Sequence, residues 1–132
     1  MPFAEFSPAE VGTSAGGFRI VGAAQGPLRL TVWGYWPQDV ARSFSADGPA
    51  ALQRLMPTGI VVVEASDLKP QGADGQEALR VLFRALTGVA FARATVVSPN
   101  ALTRMQLARL LRECGVDGRV DLSDNFSATP GA

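Results

Sequence analysis

The sequence is organised around a strand, a loop and a helix that follow one another between Ile60 and Leu86. Residues 60–63 read Ile-Val-Val-Val without alternating polar residues, which is typical of a strand covered on both faces in a parallel or mixed sheet. Residues 69–73 form a loop with proline and glycine. Apolar residues then recur at helical spacing, which predicts a helix with one face against the sheet: Leu79, Leu82, Phe83 and Leu86.

The predicted start of this helix carries two acidic residues. Asp74 fits the N-cap position, and Glu77 three residues later is placed to reach back, as in a capping box. Asp74 also puts a negative charge where the helix dipole and the free N–H groups favour an anion. We therefore predict that Asp74 caps the helix, which is compatible with a direct part in binding a partner.

Composition excludes several classes of function. A chain of 132 residues, 47% of them hydrophobic, is enough for one domain with its own core. Twelve basic and twelve acidic side chains cancel, which argues against general binding to nucleic acid or to anionic membrane surfaces. No apolar run is long enough to span a membrane, and the first ten residues lack the apolar region of a secretory signal.

The absence of histidine and the single cysteine, Cys114, limit the chemistry further. One thiol cannot form an intramolecular disulfide and fits a reducing compartment, so we expect a cytoplasmic protein. Structural zinc and imidazole-based catalysis are excluded by the same inventory. We therefore expect no metal and no cofactor.

Before the central strand, the pattern predicts two strands and a helical region. Residues 18–21 and 28–33 are expected to form an antiparallel hairpin. Pro37 suits the first turn of a helix. Gly48 and Pro49 interrupt that helix, which predicts either a kink or two short helices, the second carrying Leu52, Leu55 and Met56.

After the central helix, residues 93–97 predict a short buried strand. Ser98 and Pro99 then fit an N-cap and a first helical position. Residues 119–122 predict a last strand. One face of the third helix is expected to be buried, and it carries Thr103, Leu107, Leu110, Leu111 and Cys114.

The predicted elements follow the order β, β, α, β, α, β, α, β. Strands that alternate with helices favour an α/β fold with a mixed, mostly parallel sheet of four to five strands and right-handed crossovers. We assign residues 17–123 to this domain. Residues 1–16 are expected to form a flexible arm or a strand added at an edge, and residues 124–132 a flexible tail.

Two groups of residues have both a structural and a functional interpretation. Trp33, Tyr35 and Trp36 either cap the core or form an exposed interaction patch, because Trp and Tyr are favoured interface anchors. Glu64 and Asp67 lie near the end of the central strand, where α/β sheets bind ligands. The first strand is followed by no second acidic pair, so we favour turn chemistry over a metal or phosphoacceptor site.

A third group lies on the outer face of the third helix. Arg104, Arg109 and Arg112 share this side with Met105. Such a row is either a solvated helix face or a surface that docks an acidic partner.

The order of these features resembles the STAS domain, named for sulfate transporters and anti-sigma factor antagonists. The resemblance covers about residues 28–122. It depends on the strand that runs into Ser66-Asp67-Leu68, the loop that ends in Gly75, the Val97-Ser98-Pro99 entry to the third helix, and the ending from Leu110 to Gly115. It implies a STAS-like fold and a non-enzymatic regulatory role through protein–protein interaction in bacterial signalling. The implied partner is an anti-sigma-factor-like kinase or another regulatory protein.

The sequence departs from the STAS pattern at the phosphorylation site. In STAS proteins that act as phosphorylation switches, the loop before the central helix typically reads Asp-Ser-Ser-Gly. Here it reads Gly72-Ala73-Asp74-Gly75, in which only the glycine matches and Ala73 has no hydroxyl. We therefore expect a divergent member without the phosphorylatable serine, whose binding is constitutive.

The resemblance also implies a contact surface, made of residues 69–75 and the first half of the following helix. Its exposed members are predicted to be Gln71, Asp74, Gln76 and Arg80. A secondary interaction surface is expected at Trp36, Arg104, Arg109 and Arg112.

The alternative interpretation is a small-molecule binding module. In that case the sheet and the aromatic cluster at residues 33–36 would enclose an apolar ligand or a nucleotide. No phosphate-binding G-x-x-x-x-G-K-[ST] or G-x-G-x-x-G motif and no G-x-S-x-G elbow occurs, and we expect no enzyme. A homodimer stays open, because an exposed sheet edge would permit strand pairing.

Overall fold

The computed structural model describes residues 6–22, 27–54 and 59–124, with side chains described from Glu10 onward. Its elements in chain order are β1 (Phe6–Thr13), β2 (Gly16–Gly22), β3 (Leu28–Gly34), α1 (Gln38–Leu52), β4 (Ile60–Leu68), α2 (Ala73–Leu86), β5 (Arg93–Val97), α3 (Ala101–Glu113) and β6 (Val120–Ser123).

The strands form a single six-stranded sheet in sequential order, from β1 at one edge to β6 at the other. β1, β2 and β3 are antiparallel neighbours, and β3 to β6 are parallel. The predicted α/β class, the mixed and mostly parallel sheet and the β2–β3 hairpin are confirmed. The sheet has more strands than the predicted four to five.

The additional strand is β1, which falls in the segment predicted as an arm or an edge strand. Its sequence, Phe-Ser-Pro-Ala-Glu-Val-Gly-Thr, has no regular alternation of apolar residues, so the pattern left an arm and an edge strand open, and the structure shows the edge strand. It pairs antiparallel with β2, and Glu10 there forms an ion pair with Arg19 at 3.1 Å. Residues 1–5 and 125–132 lie outside the described residues, and the assigned domain boundaries stay a prediction.

All three helices pack on one face of the sheet. Each parallel strand is added beside the previous one in the same direction, and right-handed crossovers then place every helix on the same side. The main core lies between that face and the helices. It includes Leu30, Val32, Val61, Val63 and Val96 from the sheet, and Phe44, Leu79, Leu82, Phe83, Leu107 and Leu110 from the helices.

The opposite face of β4 and β5 is also buried at its centre. Val62 and Val97 point away from the helices and are nevertheless buried. The prediction that residues 60–63 are covered on both faces is therefore confirmed for Val61, Val62 and Val63, whereas Ile60 is half-buried. Away from this centre the helix-free face carries the polar residues Arg19, Thr31 and Glu64, which pair across neighbouring strands.

Helix α1 is a single helix, so the predicted alternative of two short helices is wrong. It runs without interruption through Gly48 and Pro49. Pro49 lies in the last turn, where its missing N–H removes one intrahelical hydrogen bond, and its carbonyl accepts a hydrogen bond from Gln53 N at 3.2 Å. A Cβ at Gly48 would lie 3.1 Å from the Leu82 side chain, so glycine permits close packing of α1 on α2. Leu55 and Met56 lie outside the described residues.

Candidate protein-binding surface

The predicted contact surface lies at the edge of the sheet where the parallel strands end. β3 and β4 are parallel neighbours and finish there at Gly34 and Leu68. We use the name contact loop for residues 69–72, which connect β4 to α2. This position corresponds to the ligand-binding edge of open α/β sheets.

Gln71 is the centre of the contact loop, and it is buried rather than exposed as predicted, with 4% of its surface accessible. Its Oε1 accepts a hydrogen bond from Trp36 N at 2.9 Å. Its Nε2 donates to the carbonyls of Gly34 at 2.8 Å and Lys69 at 2.7 Å. The side chain therefore connects the end of β3 to the loop after β4 and is a support for the surface.

The backbone of Gln71 is held just as firmly. Its N–H donates to Gln106 Oε1 at 2.7 Å, and Gln106 Nε2 donates back to the Gln71 carbonyl at 2.9 Å. The same carbonyl accepts from Gln76 Nε2 at 2.9 Å. Thr103 Oγ1 donates to the Leu68 carbonyl at 2.9 Å nearby. The contact loop is thus fixed to β3, α2 and α3 together.

Asp74 is not the N-cap of α2, which corrects the predicted capping box. The N-cap is Gly72, whose carbonyl accepts from Gln76 N at 2.9 Å, and no side chain caps the helix. The helix begins earlier than predicted because the buried Gln71 fixes the backbone at that point. Asp74 is exposed in the first turn, where its charge still complements the helix dipole.

Glu77 and its neighbours form an ion-pair network between α2 and α3 instead of a cap. Arg80 contacts Glu77 at 3.2 Å and Glu113 at 2.9 Å, and Arg109 contacts Glu113 at 3.1 Å. Arg109 also donates to Gln76 Oε1 at 2.7 Å. Such pairs at the surface contribute little stability, but they orient the predicted contact residues Gln76 and Arg80.

The ion pairs shift the acid–base equilibria of two members. The hydrogen bond from Arg80 is the main cause that lowers the pKa of the Glu113 carboxyl, with the charges of Arg80 and Arg109 adding to it. The same hydrogen bond raises the pKa of Arg80. Both groups are therefore charged at neutral pH, and the connection between α2 and α3 is ionic under those conditions.

The three aromatic residues after β3 do not form one cluster. Trp36 is 2% exposed and packs against Phe18 and Phe44, with ring centroids 6.1 and 4.7 Å away. Its Nε1 donates to the Gly17 carbonyl at 3.0 Å. The expected place of Trp36 in a secondary interaction surface is therefore wrong, because the side chain fills the core.

Tyr35 points away from the core, toward solvent and the contact loop. It is 52% exposed, and its hydroxyl lies against Gly72, where a Cβ would collide with it. Trp33 is half-buried and donates from Nε1 to the Thr13 carbonyl at 2.8 Å. Sequence reasoning considered Tyr35 but could not tell which of the three rings would face outward.

The start of α3 also differs from the prediction. Asn100, not Ser98, is the N-cap, and its Oδ1 accepts from Thr103 N at 2.9 Å. Ser98 continues β5 instead, since its N–H donates to the Ser123 carbonyl at 2.8 Å, and it has no exposed surface. The predicted buried face of α3 is confirmed at Thr103, Leu107, Leu110 and Leu111, and Cys114 is half-buried against the core.

The arginines of α3 have different surroundings. Arg104 donates to the carbonyls of Ser98 and Pro99 at 3.0 and 3.1 Å, which orders the entry to the helix. Arg109 belongs to the ion-pair network, and Arg112 is exposed. Leu102 and Met105 lie on the same outer side and are 67% and 68% exposed. The sequence analysis did not identify Leu102 as exposed. Its position three residues before Met105, outside the buried stripe of α3, could have indicated this.

The acidic pair at the end of β4 does not form a larger cluster. Glu64 is half-buried on the helix-free face, and Asp67 is exposed. Within residues 6–22, 27–54 and 59–124, no three acidic, cysteine or histidine side chains converge as a metal site would require. In the same part of the chain, no helix has the length and apolar character needed to cross a membrane.

Comparison with known proteins gives a structural likeness. No family model matches the chain, and no curated protein matches it in sequence. Among solved structures, it is similar to the anti-sigma factor antagonist SpoIIAA in its unphosphorylated form, with a TM-score of 0.57 and 14% identity. The match covers 84% of this chain and 91% of that chain. At this level of identity the likeness establishes the fold, and the chain has a STAS-like fold.

Proposed function

We propose that this chain is a non-enzymatic regulatory domain of bacterial signalling that binds a partner protein in the cytoplasm through the contact loop and the first half of α2. We propose further that phosphorylation of the loop does not gate this binding. The observation that carries the proposal is the buried Gln71, whose side chain and backbone hold the contact loop to three other elements. The likeness to an anti-sigma factor antagonist supports a regulatory role.

A loop held in this way suits a constant binding surface better than a switch. A switch needs an element with two arrangements of similar free energy. Opening the contact loop would leave the buried N–H of Trp36 without its acceptor, and an unsatisfied buried group costs about 1 to 3 kcal/mol. Residues 69–75 also contain no hydroxyl. These features favour one loop conformation and constitutive binding.

The side chains offered to a partner are those that surround Gln71. Lys69 and Asp74 are exposed, and Tyr35 covers Gly72 from the side of β3. Gln76 and Arg80 are partly exposed and oriented by α3. Preorganised side chains lose less entropy on association, which improves affinity without new contacts.

Two serines outside the loop bear on the proposed lack of a switch. Ser98 has no exposed surface, so a kinase could reach it only after local unfolding. Ser66 is half-buried on β4. Incubating the folded chain with lysate of the source organism and labelled ATP should leave it unlabelled, and stoichiometric label on Ser66 or Ser98 would contradict this part.

The small-molecule alternative loses the observation that suggested it. It required Trp33, Tyr35 and Trp36 to enclose one ligand. Trp36 faces the core and Tyr35 faces solvent, so these rings do not line a common site.

The test is an affinity capture from lysate of the source organism with two charge reversals. Asp74→Lys changes the exposed first turn of α2, whereas Asp117→Lys changes an equally exposed residue in the turn before β6, at the other end of the parallel strands. We expect the wild type and Asp117→Lys to retain one protein equally well, and Asp74→Lys to retain it only weakly. If Asp74→Lys has wild-type circular dichroism and still retains the protein as well as the wild type does, the proposed surface is wrong.

A further inference from the structure

The exposed large hydrophobic side chains of the described residues all lie around the contact loop. They are Tyr35, Leu102 and Met105, each more than half exposed. Single exposed apolar residues are common on protein surfaces, but a group of them at one place marks an interaction site. Positions that need only solubility favour charged side chains over Tyr, Leu and Met.

The three residues border the contact loop, Tyr35 by direct approach and the other two through their neighbour Gln106 on α3. Tyr35 approaches the loop from the end of β3, with its hydroxyl against Gly72. On the other side, Gln106 is joined to Gln71 by two hydrogen bonds of 2.7 and 2.9 Å. Met105 directly precedes Gln106 in the sequence. Leu102 lies one helical turn before both, so the side chains of Leu102 and Met105 are neighbours on the surface of α3.

The outer side of α3 is basic beyond this apolar part. Arg104, Arg109 and Arg112 lie along the helix, and its one acidic residue is Glu113. Glu113 is already engaged by Arg80 at 2.9 Å and by Arg109 at 3.1 Å. The charge that remains for a partner is therefore positive, and it adjoins exposed leucine and methionine.

We infer that Tyr35, Leu102 and Met105 are the apolar anchors of the partner interface, and that the partner covers Leu102 and Met105 with an amphipathic segment that is acidic on the side facing the arginines of α3, away from Asp74. This inference rests on the proposed function, because the anchors border the contact loop. Apolar side chains of the partner cover the anchors, and its carboxylates meet the exposed Arg112. Guanidinium groups pair well with carboxylates in such positions, and a few apolar anchors carry most of the affinity of an interface.

The probe for this chemistry is a pair of synthetic amphipathic peptides of equal length. One carries Leu on one helical face and Glu on the other, and the second has Lys in place of each Glu. Fluorescence anisotropy with the full chain should show binding of the acidic peptide and at least about tenfold weaker binding of the basic one, because charge complementarity selects between them. Equal binding of both peptides, or of neither, would overturn the inferred partner chemistry.

Matched variants locate the site. Leu102→Gln with Met105→Gln should weaken binding of the acidic peptide about tenfold or more, as expected for loss of interface anchors. Arg112→Glu should weaken it as well, whereas Arg42→Glu, an equally exposed arginine on α1, should not. All four side chains are exposed, so circular dichroism is expected to stay unchanged. Wild-type affinity in the Leu102 and Met105 variant would overturn the inference.

Two further measurements separate this inference from the proposed function. If lysate capture depends on Asp74 but not on Leu102 and Met105, the proposed function stands and the inferred anchors are wrong. If capture depends on neither, the proposed function itself fails. Sedimentation of the wild type should show a monomer, and a dimer that the Leu102 and Met105 variant abolishes would identify a second copy of this chain as the occupant and overturn the acidic partner.

Discussion

The starts of α2 and α3 lie at the same edge of the sheet but are held in different ways. α3 begins with a local cap, in which Asn100 accepts from Thr103 N three residues later. α2 has no side-chain cap, and its start is fixed by Gln71 through contacts with residues 35 positions away in both directions. A helix start held from a distance is positioned relative to the whole fold, which is what a binding surface requires.

The largest expected effect comes from removing the distant contacts. Gln71→Met keeps the volume but leaves the buried Trp36 N–H without an acceptor, so we expect a loss of about 2 to 3 kcal/mol in unfolding free energy. The same change at Gln76, which is only partly buried, should cost less than about 1 kcal/mol. Urea denaturation measures both, and equal losses would remove the distinction between a support and a surface residue.

A glycine-to-alanine change should destabilise the chain at one position and have little effect at another. A Cβ at Gly75 would collide with the Gln71 amide and lie 2.8 Å from its Cβ. Although alanine is favoured over glycine within helices, overpacking should make Gly75→Ala less stable by about 2 kcal/mol. Gly88→Ala, where the nearest atom is the Ala85 carbonyl oxygen at 3.8 Å, should be close to neutral. A stabilised Gly75→Ala variant in thermal unfolding would show that Gln71 is free to move.

The local cap of α3 should have a moderate effect. Asn100→Ala removes the acceptor for Thr103 N, and we expect a loss of about 1 kcal/mol. Asp74→Ala in α2 removes only a favourable charge near the helix dipole, worth about 0.5 kcal/mol. Chemical denaturation of the two variants tests this order, and a larger loss for Asp74→Ala would restore it as the cap.

The smallest effect concerns the ionic connection between the two helices. Because Arg80 lowers the pKa of Glu113 in the folded chain, this pair contributes stability above the pKa of an unfolded glutamate. That contribution is lost as the pH falls through the lowered pKa. Glu113→Gln should therefore flatten the decline in stability below about pH 4.5. Glu10→Gln at the sheet edge is the control for the loss of one negative charge. If the unfolding free energy of Glu113→Gln declines at low pH as steeply as that of the wild type, the proposed contribution of the Arg80–Glu113 pair is wrong.

The same contrast explains what the sequence could predict. The buried stripes of α2 and α3, the central strand and the hairpin follow from short-range periodicity, and each was found. Gln71 was predicted to be exposed because the family resemblance implies a contact surface there, and nothing in the local sequence indicates that this glutamine is buried. Its partners come from β3 and α3, which only the assembled fold brings to it.

The two predicted N-caps were wrong for a related reason. Asp74 and Ser98 both fit local capping rules, but Ser98 pairs with β6 and Gly72 is the N-cap of α2. Trp36 could not be separated from Tyr35 by sequence, because the turn after β3 decides which ring enters the core. Local rules therefore located the elements, and long-range contacts decided their ends, where the proposed surface lies.

Hydrogen exchange of the Trp36 and Gln71 amides tests most directly whether the contact loop is a fixed surface. Both N–H groups donate to glutamine side chains, Gln71 Oε1 and Gln106 Oε1. If the loop has one conformation, these amides should exchange as slowly as that of Leu30 in the core sheet, through global unfolding. Exchange as fast as that of Gly118 in the exposed turn before β6 would show a loop that opens freely, and the account of a constitutive, preorganised binding surface would then be wrong.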